Sequence, residues 1–420
     1  MAAIFADLLA RPVRRVVWRL GHHSKRARKT AGTGTISETQ AVVVGGGLTG
    51  LAAAVAVARA GLDTVHLVPK GPPDRRTSAL MLPAVEYLAS AGLVMDPAAI
   101  GHPLTQIRII DATRRLIRAP ETLFDSTEFD LTAFGWNLPN VKLAESFEAA
   151  RSALGNLRTI ETTLDDLDLS GEGALVRLAN GDTIGASFIV GADGKKSRVR
   201  ESAGFRAREN GFTQSALVCD LALERPIGGT SIEFHYENGP FTLVPAGGNR
   251  ANLVWIDDRD VLKSAQARDR AELAVLFGEK SLHLFGAVEL LTPAHMFPLS
   301  TLAVDIAGKD GVVLVGEAAH AFPPIGAQGL NLGLRDVADL AAALAATDLA
   351  SRGFGRLVSD DYAHRRAGDL SRTGTMVDAL FRSLLADFLP AQAARSTGLW
   401  ALKLVPRLRK AAFDVGMGVR

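Results

Sequence analysis

At 420 residues the chain is longer than one typical domain and has ample length to bury a large core. It is 47% hydrophobic and 22% charged with a formal net charge of +2, an ordinary globular balance that gives no overall attraction to nucleic acid. Cys219 is the single cysteine, which excludes a disulfide framework or a cysteine-based metal site within one chain, and no apolar run approaches the roughly 18 residues of a membrane-spanning helix.

Residues 1–38 are rich in Arg and Lys, among them Arg11, Arg14, Arg15 and Lys25, and drift into a Thr/Gly/Ser-rich linker. Ile4, Phe5, Leu8, Leu9 and Val13 can share one helical face, the pattern of a basic surface helix or a transit peptide; a solvated arm fits equally. Ala41 to Val44 is then a short apolar strand running into Gly45, Gly46, Gly47, Leu48, Thr49 and Gly50. A helix from Leu51 to Ala60, a turn at Gly61 and a second strand from Thr64 to Val68 follow. This is a dinucleotide fingerprint in its βαβ setting. Gly45 permits the tight turn, Gly47 lets backbone approach a pyrophosphate, and Gly50 allows close packing of helix on strand. The second strand should end on an acid for the adenosine ribose, but Val68, Pro69 and Lys70 stand there. That ribose must be held otherwise, with backbone and Lys70 as candidates.

Residues 72–80 lead into an expected helix from Ala79 to Ala91, with Arg76 either reaching a phosphate or ring edge or standing as a surface arginine. Alternation between Gly101 and Gly135 predicts sheet, Leu143 to Leu154 a helix, and Thr159 to Gly194 strands. The last of these ends on Asp193-Gly194, suited to the pyrophosphate side of a dinucleotide or to capping the helix near Ser197. Phe212 to Trp255 predicts an antiparallel sheet on the substrate side, containing His235 and Tyr236. The run Val312 to Val315 is a buried strand that stops at Gly316 and Glu317. Pro323 and Pro324 fix a loop, Gly326 and Gly329 admit a ligand, and a helix from Leu332 points its first amides there. Beyond an Ala/Leu-rich helix from Leu340 to Leu349, the chain end is helical and basic, with Leu399, Trp400 and Leu408 among Arg407, Arg409 and Lys410. It suits an anionic membrane surface or a cap on the core.

The glycine turn, the Asp193-Gly194 pair and Gly316 to Asp336 resemble, in order and spacing, the single-component FAD-dependent aromatic hydroxylases. Residues 76–80 (RTSAL), 232–245 (IEFHYENGPFTLVP) and 316–336 resemble the ubiquinone-biosynthesis hydroxylases within that group. The likeness covers about residues 40 to 415. It implies a mixed α/β fold: a Rossmann-like FAD-binding domain of the p-hydroxybenzoate-hydroxylase type, an inserted antiparallel-sheet substrate domain and a C-terminal helical region. The corresponding divisions are 1–38 (tail and linker), 39–82 with 130–205 and 300–350 (FAD-binding), 83–129 with 206–299 (substrate) and 351–420 (helical).

By position, the resemblance implies that Gly45, Gly47 and Gly50 meet the FAD pyrophosphate, Arg76 lies on the flavin side, and Asp193 with Gly194 serves FAD and the pyridine nucleotide. Glu317 would bind a ribityl hydroxyl, and Gly326, Gln328, Gly329 and Asn331 would border the flavin ring. The family ordinarily has Asp where Glu317 stands, and Ala-Gly-Gln-Gly where this chain has Gly326-Ala327-Gln328-Gly329. The implied reaction uses NAD(P)H and O2 to hydroxylate the aromatic ring of a polyprenylated precursor through a C4a-hydroperoxide of FAD. It names no catalytic side chain and no metal. Expected partners are that substrate, other quinone-biosynthesis proteins and a peripheral membrane contact, with a cytoplasmic location on the inner face. Two rival readings stay open: a soluble phenolic substrate, or a flavin-bound accessory protein or reductase without oxygen transfer.

Overall fold

The computed structural model describes residues 36–115, 118–171, 173–324, 328–385, 400 and 409–410, without the side chains of 328 and 370–385. The N-terminal arm before residue 36, Gly326 and most of the basic chain end lie outside the described residues. Among the described residues the strands form four sheets. The central one runs Gly308–Lys309, Val312–Leu314, Phe188–Gly191, Ala41–Val44, Thr64–Val68 and Leu157–Glu161, parallel except at its first strand. Its inner strands are aliphatic and sealed on both faces; Val42, Val43, Val190, Val312 and Val313 are fully buried. Continuous apolar strands of this kind arise where helices cover both sides of a parallel sheet.

The helix Leu48–Arg59 starts three residues earlier than the expected Leu51, because Gly47 is already its N-cap. It packs against Asn140–Ser152 on one side and Gln328–Ala346 on the other. That last helix begins before the expected Leu332 and crosses Leu48–Arg59 closely: a Cβ on Gly333 would lie 2.7 Å from Thr49 Oγ1. Two helix starts therefore converge on one end of the central sheet.

The expected helix from Ala79 to Ala91 divides in two. Thr77–Met81 is a strand paired with Gly135–Pro139, and the helix is Leu82–Ser90. Asn331 explains the division, since its side chain accepts from the Met81 N–H and donates to the Ala79 carbonyl, both at 2.8 Å. Those groups are thereby committed to an extended chain, and Pro83 starts the helix after them.

The largest sheet runs His320–Ala321, His295–Val304, Ala207–Leu223, Arg250–Asp258, Gly239–Pro245, Thr230–Tyr236, Gln106–Asp111 and Thr122–Asp125. The predicted antiparallel pattern holds from Ala207 to Asp258, while Thr230–Tyr236 pairs in parallel with Gln106–Asp111. One face carries Leu217, Leu221, Phe234, Phe241, Leu253 and Trp255, closed by Leu262 and Phe277 from the helices Arg259–Gln266 and Arg270–Lys280. The opposite face is half open. His320–Ala321 is the edge strand here, so the loop after Glu317 is hydrogen-bonded into this sheet as well as hung from the central one. At the far edge, Arg409 pairs with Glu128 at 2.8 Å and stands over the Phe124 ring, docking part of the basic chain end on the protein itself.

Candidate functional site: a dinucleotide cradle between two helix starts

Gly45 and Gly50 are required by the protein's own backbone. Gly45 has φ +130°, and a Cβ there would lie 2.1 Å from the Ala192 carbonyl oxygen; one on Gly50 would lie 2.1 Å from the Gly45 oxygen. Gly47 differs, with extended backbone (φ −75°, ψ 171°) and nothing within 4 Å of the position its Cβ would take. Neither strain nor packing within the chain demands glycine there. The helix it caps has no side-chain cap and no acid in its first turn, so its leading amides face open space. Gly329, in the first turn of Gln328–Ala346, likewise has nothing described within 4 Å of a Cβ. Open space at two converging helix starts fits a ligand carrying negative charge at both places.

His66 braces the turn from below. Its Nε2 lies 2.8 Å from the Gly45 carbonyl, which can only accept, so the proton is on Nε2 and the bare Nδ1 is buried without a partner. Burial lowers the His66 pKa, against the opposing pull of that carbonyl bond.

On the other side, Glu317 is exposed between the buried Gly316 and Ala318, and its carboxylate makes no hydrogen bond among the described residues. Arg76 faces the same region. Its guanidinium makes two bonds to Asp74 (2.9 and 2.8 Å). That bond, opposed by burial and helped by the charges of Asp74 and Glu317, raises its pKa. Burial pushes the Asp74 carboxyl up, but bonds from Arg76 and Asn140 outweigh it and hold the group below the usual carboxylate value. The strand after Arg76 is fixed at several points: Ser78 donates to Asn140 (2.7 Å), Thr77 to Asn252 (2.8 Å), and Asn331 grips Ala79 and Met81. Asn137 extends the brace by donating to Asn252 and the Pro245 carbonyl. A cleft of about 310 Å³ borders this strand, lined by Thr77, Ile100, His102, Asn137 and Ala246, without reaching Glu317 or the glycine turn.

Beneath Glu317 lies a buried ionic knot. Asp336 Oδ2 accepts from the Gly316 N–H (2.7 Å) and from His320 Nε2 (2.6 Å). Arg366, fully buried, has Nη2 2.7 Å from Asp336 Oδ1, close but not aligned as a hydrogen bond, and Nη1 bonded to Asp339 (2.8 Å) and Asp369 (2.7 Å). Burial pushes the Asp336 carboxyl up, but His320 and Arg366 overcome it and leave the pKa lowered. Gly316 has φ +58°, so the Asp336 bond stabilises a left-handed turn that aims Glu317 outward.

Residues 38–368 match the family model described as an FAD binding domain. A ubiquinone hydroxylase, UbiL, of Rhodospirillum rubrum is 31% identical over 394 residues, covering 90% of this chain and 89% of that protein. The chain belongs to this family of FAD-dependent monooxygenases. The 3-demethoxyubiquinol 3-hydroxylase of Escherichia coli is 26% identical over 92% of this chain and 100% of its own length. In structure, the p-nitrophenol 4-monooxygenase PnpA of Pseudomonas putida matches with a TM-score of 0.72 at 21% identity, over 92% of this chain and all of that one, and shares the fold.

Of the residues that the sequence pointed to, the monooxygenase brings Gly45, Gly47 and Gly50 together in one turn and sets Arg76 and Glu317 within electrostatic reach. Gly329 stands at the start of the second helix. Asp193 accepts from the Ser197 hydroxyl and from the Arg198 and Val199 N–H groups, so it caps the helix Arg198–Ser202. Gly194 beside it needs its glycine for φ +79°. Asn331 is committed to the strand it grips. Gln328 is placed by its backbone alone, and Gly326 lies outside the described residues. Among the described residues no group of His, Cys, Asp or Glu could hold a metal. Sequence reading missed His66, Asn137, Asn140, Asn252, Asp336 and Arg366. Two of these left a signal, for Asp336 stands at helical spacing with the buried Leu332 and Leu340, and Arg366 with Val358 and Tyr362.

Proposed function

We propose that this enzyme hydroxylates the aromatic ring of a polyprenylated ubiquinone precursor, with NAD(P)H as reductant and O2 as oxygen source. The observation that carries this reading is the 31% identity, over nearly the whole of both chains, to a protein named as a ubiquinone hydroxylase. FAD supplies the redox and oxygen-activating chemistry when bound. The chain's residues bind and shield it: Gly45, Gly47 and Gly50 seat the pyrophosphate, and Glu317 accepts from a ribityl hydroxyl. Asp193 and Gly194 border the cofactor and the pyridine nucleotide, with Asp193 also holding its helix. Arg76, Gln328, Gly329 and Asn331 border the ring, Asn331 through the strand it grips, and the resemblance adds Gly326 to this set.

The half-open face of the large sheet offers the substrate seat. Val218, Val254 and Thr242 lie side by side in register on it, with Asp220, Asn252 and Val244 forming the next rung. Asn252 joins that face to the strand after Arg76, so an aromatic ring resting on the valines would lie beside the braced strand. The valines shield the reacting ring from water on that side. Among the described residues no helix is long and apolar enough to cross a membrane. A polyprenyl tail resides in the bilayer, so the substrate requires contact with the membrane surface, which we place at its inner face.

Mass spectrometry of quinone intermediates in a deletion strain tests the proposal. An accumulated under-hydroxylated precursor, with 18O2 label entering the product on complementation, is the expected result. Normal ubiquinone in the deletion strain would overturn it. Turnover of a small soluble phenol without the polyprenyl tail would move the substrate to that class, and flavin reduction without label would leave a reductase.

A further inference from the structure

The strand Thr64–Val68 ends without the acid that a dinucleotide fold places there for the adenosine ribose, yet a carboxylate stands one strand away at the same level. Leu157–Glu161 pairs in parallel with Thr64–Val68, and Glu161 is the register partner of Val68. Register partners in a parallel pair point to the same face, about 4.8 Å apart. That face carries the glycine turn: a Cβ on Gly46 would lie 2.6 Å from Val68 Cγ1, and His66, two residues back, reaches the Gly45 carbonyl. Glu161 therefore stands on the turn's side of the sheet, offset by one strand spacing from where the missing acid would be.

The Glu161 side chain is two-thirds exposed and makes no hydrogen bond among the described residues. Lys70 Nζ lies 3.8 Å from its Oε1 and is itself 88% exposed. Such an exposed pair stabilises a fold by only about 0 to 1 kcal/mol, so structural bracing does not account for the arrangement. Leu157–Glu161 is also the last strand of its sheet, which leaves the carboxylate uncovered at the rim of the cradle.

We propose that Glu161 replaces the absent acid and accepts the hydroxyls of the adenosine ribose of FAD, with Lys70 standing beside it. A carboxylate can accept from both hydroxyls of a diol, which neither Val68 nor Pro69 can do. The assignment rests on the glycine turn being the pyrophosphate seat.

The test titrates apoprotein separately with FAD and with FMN, which lacks the adenosine. Glu161→Ala is expected to raise the FAD dissociation constant about tenfold or more, leaving the FMN constant and the urea midpoint of the apoprotein unchanged. Unchanged FAD affinity, or an equal loss for FAD and FMN, overturns the proposal. Gly47→Asp separates the two levels of failure. If it abolishes FAD binding while Glu161→Ala does not, only the Glu161 assignment falls; if both variants keep FAD, the turn is not the pyrophosphate seat.

Discussion

Gly47→Asp puts the cradle to a test in which the two states of the enzyme respond in opposite directions. The backbone at Gly47 is extended and a Cβ meets nothing within 4 Å, so the apoprotein accepts the side chain. Aspartate is a preferred N-cap where glycine is an acceptable one, worth a few tenths of a kcal/mol. Its charge at the start of Leu48–Arg59 adds about 0.3 to 1 kcal/mol. The apoprotein should therefore resist urea slightly better than wild type. On the proposed seating of FAD the sign reverses, because the new carboxylate would compete with the pyrophosphate for the same amides. Two unit charges about 4 Å apart at an effective dielectric constant of about 20 repel by about 4 kcal/mol, or about a thousandfold in the dissociation constant. Flavin fluorescence titration and urea unfolding of the apoprotein read the two effects separately. FAD affinity within threefold of wild type, or an apoprotein that fails to fold, would refute the reasoning.

Glu317→Ala should lose FAD and Glu317→Asp should keep it, read as the flavin-to-protein absorbance ratio after gel filtration; equal retention by both removes Glu317 from the site. Asp336→Ala removes the shared partner of Gly316, His320 and Arg366 while Asp339 and Asp369 still hold Arg366, so the cost falls at or below the about 3 to 5 kcal/mol of a fully broken buried pair. A urea midpoint within error of wild type would show that the knot carries no such load. His66 has a folded pKa below the ordinary 6.5, so the unfolded chain takes up the proton first. Its contribution to stability is fully present above pH 6.5 and falls as the pH drops from 6.5 toward the folded value. His66→Gln should flatten that part of the apoprotein's stability curve, and an unchanged slope would assign the pH dependence elsewhere.

The βαβ unit at Ala41 was legible because strand, glycine spacing and helix are local features a few residues apart. The two helix starts were legible for the same reason, to within three or four residues. The strand at Thr77–Met81 was not, since what makes it a strand is Asn331, some 250 positions away, together with pairing to Gly135–Pro139. Asn137, Asn140 and Asn252 follow no period, and an isolated asparagine in sequence looks like any turn or surface residue. Asp193 shows the opposite case: a motif residue with a clear local task, capping Arg198–Ser202, that its neighbours Ser197 and Arg198 already announced.

The placement of these hidden residues has one physical sense. On the proposed reading the flavin lies between two sheets, so its site needs the sheets held in a fixed relation, and apolar packing alone tolerates sliding better than hydrogen bonds do. Asn252 ties the large sheet to the strand after Arg76, and Asn331 ties that strand to the helix Gln328–Ala346. Asp336, one turn and a half further along that helix, ties it to Gly316 at the end of the central sheet, while Arg366 joins the long helix Phe354–Leu385 to the same point. Each link joins different elements, and together they enclose the space between Gly47 and Gly329. The buried knot is costly to desolvate and would be a poor choice for stability alone. Its directional bonds hold the left-handed turn at Gly316, which explains why a charged knot rather than an apolar plug sits behind Glu317.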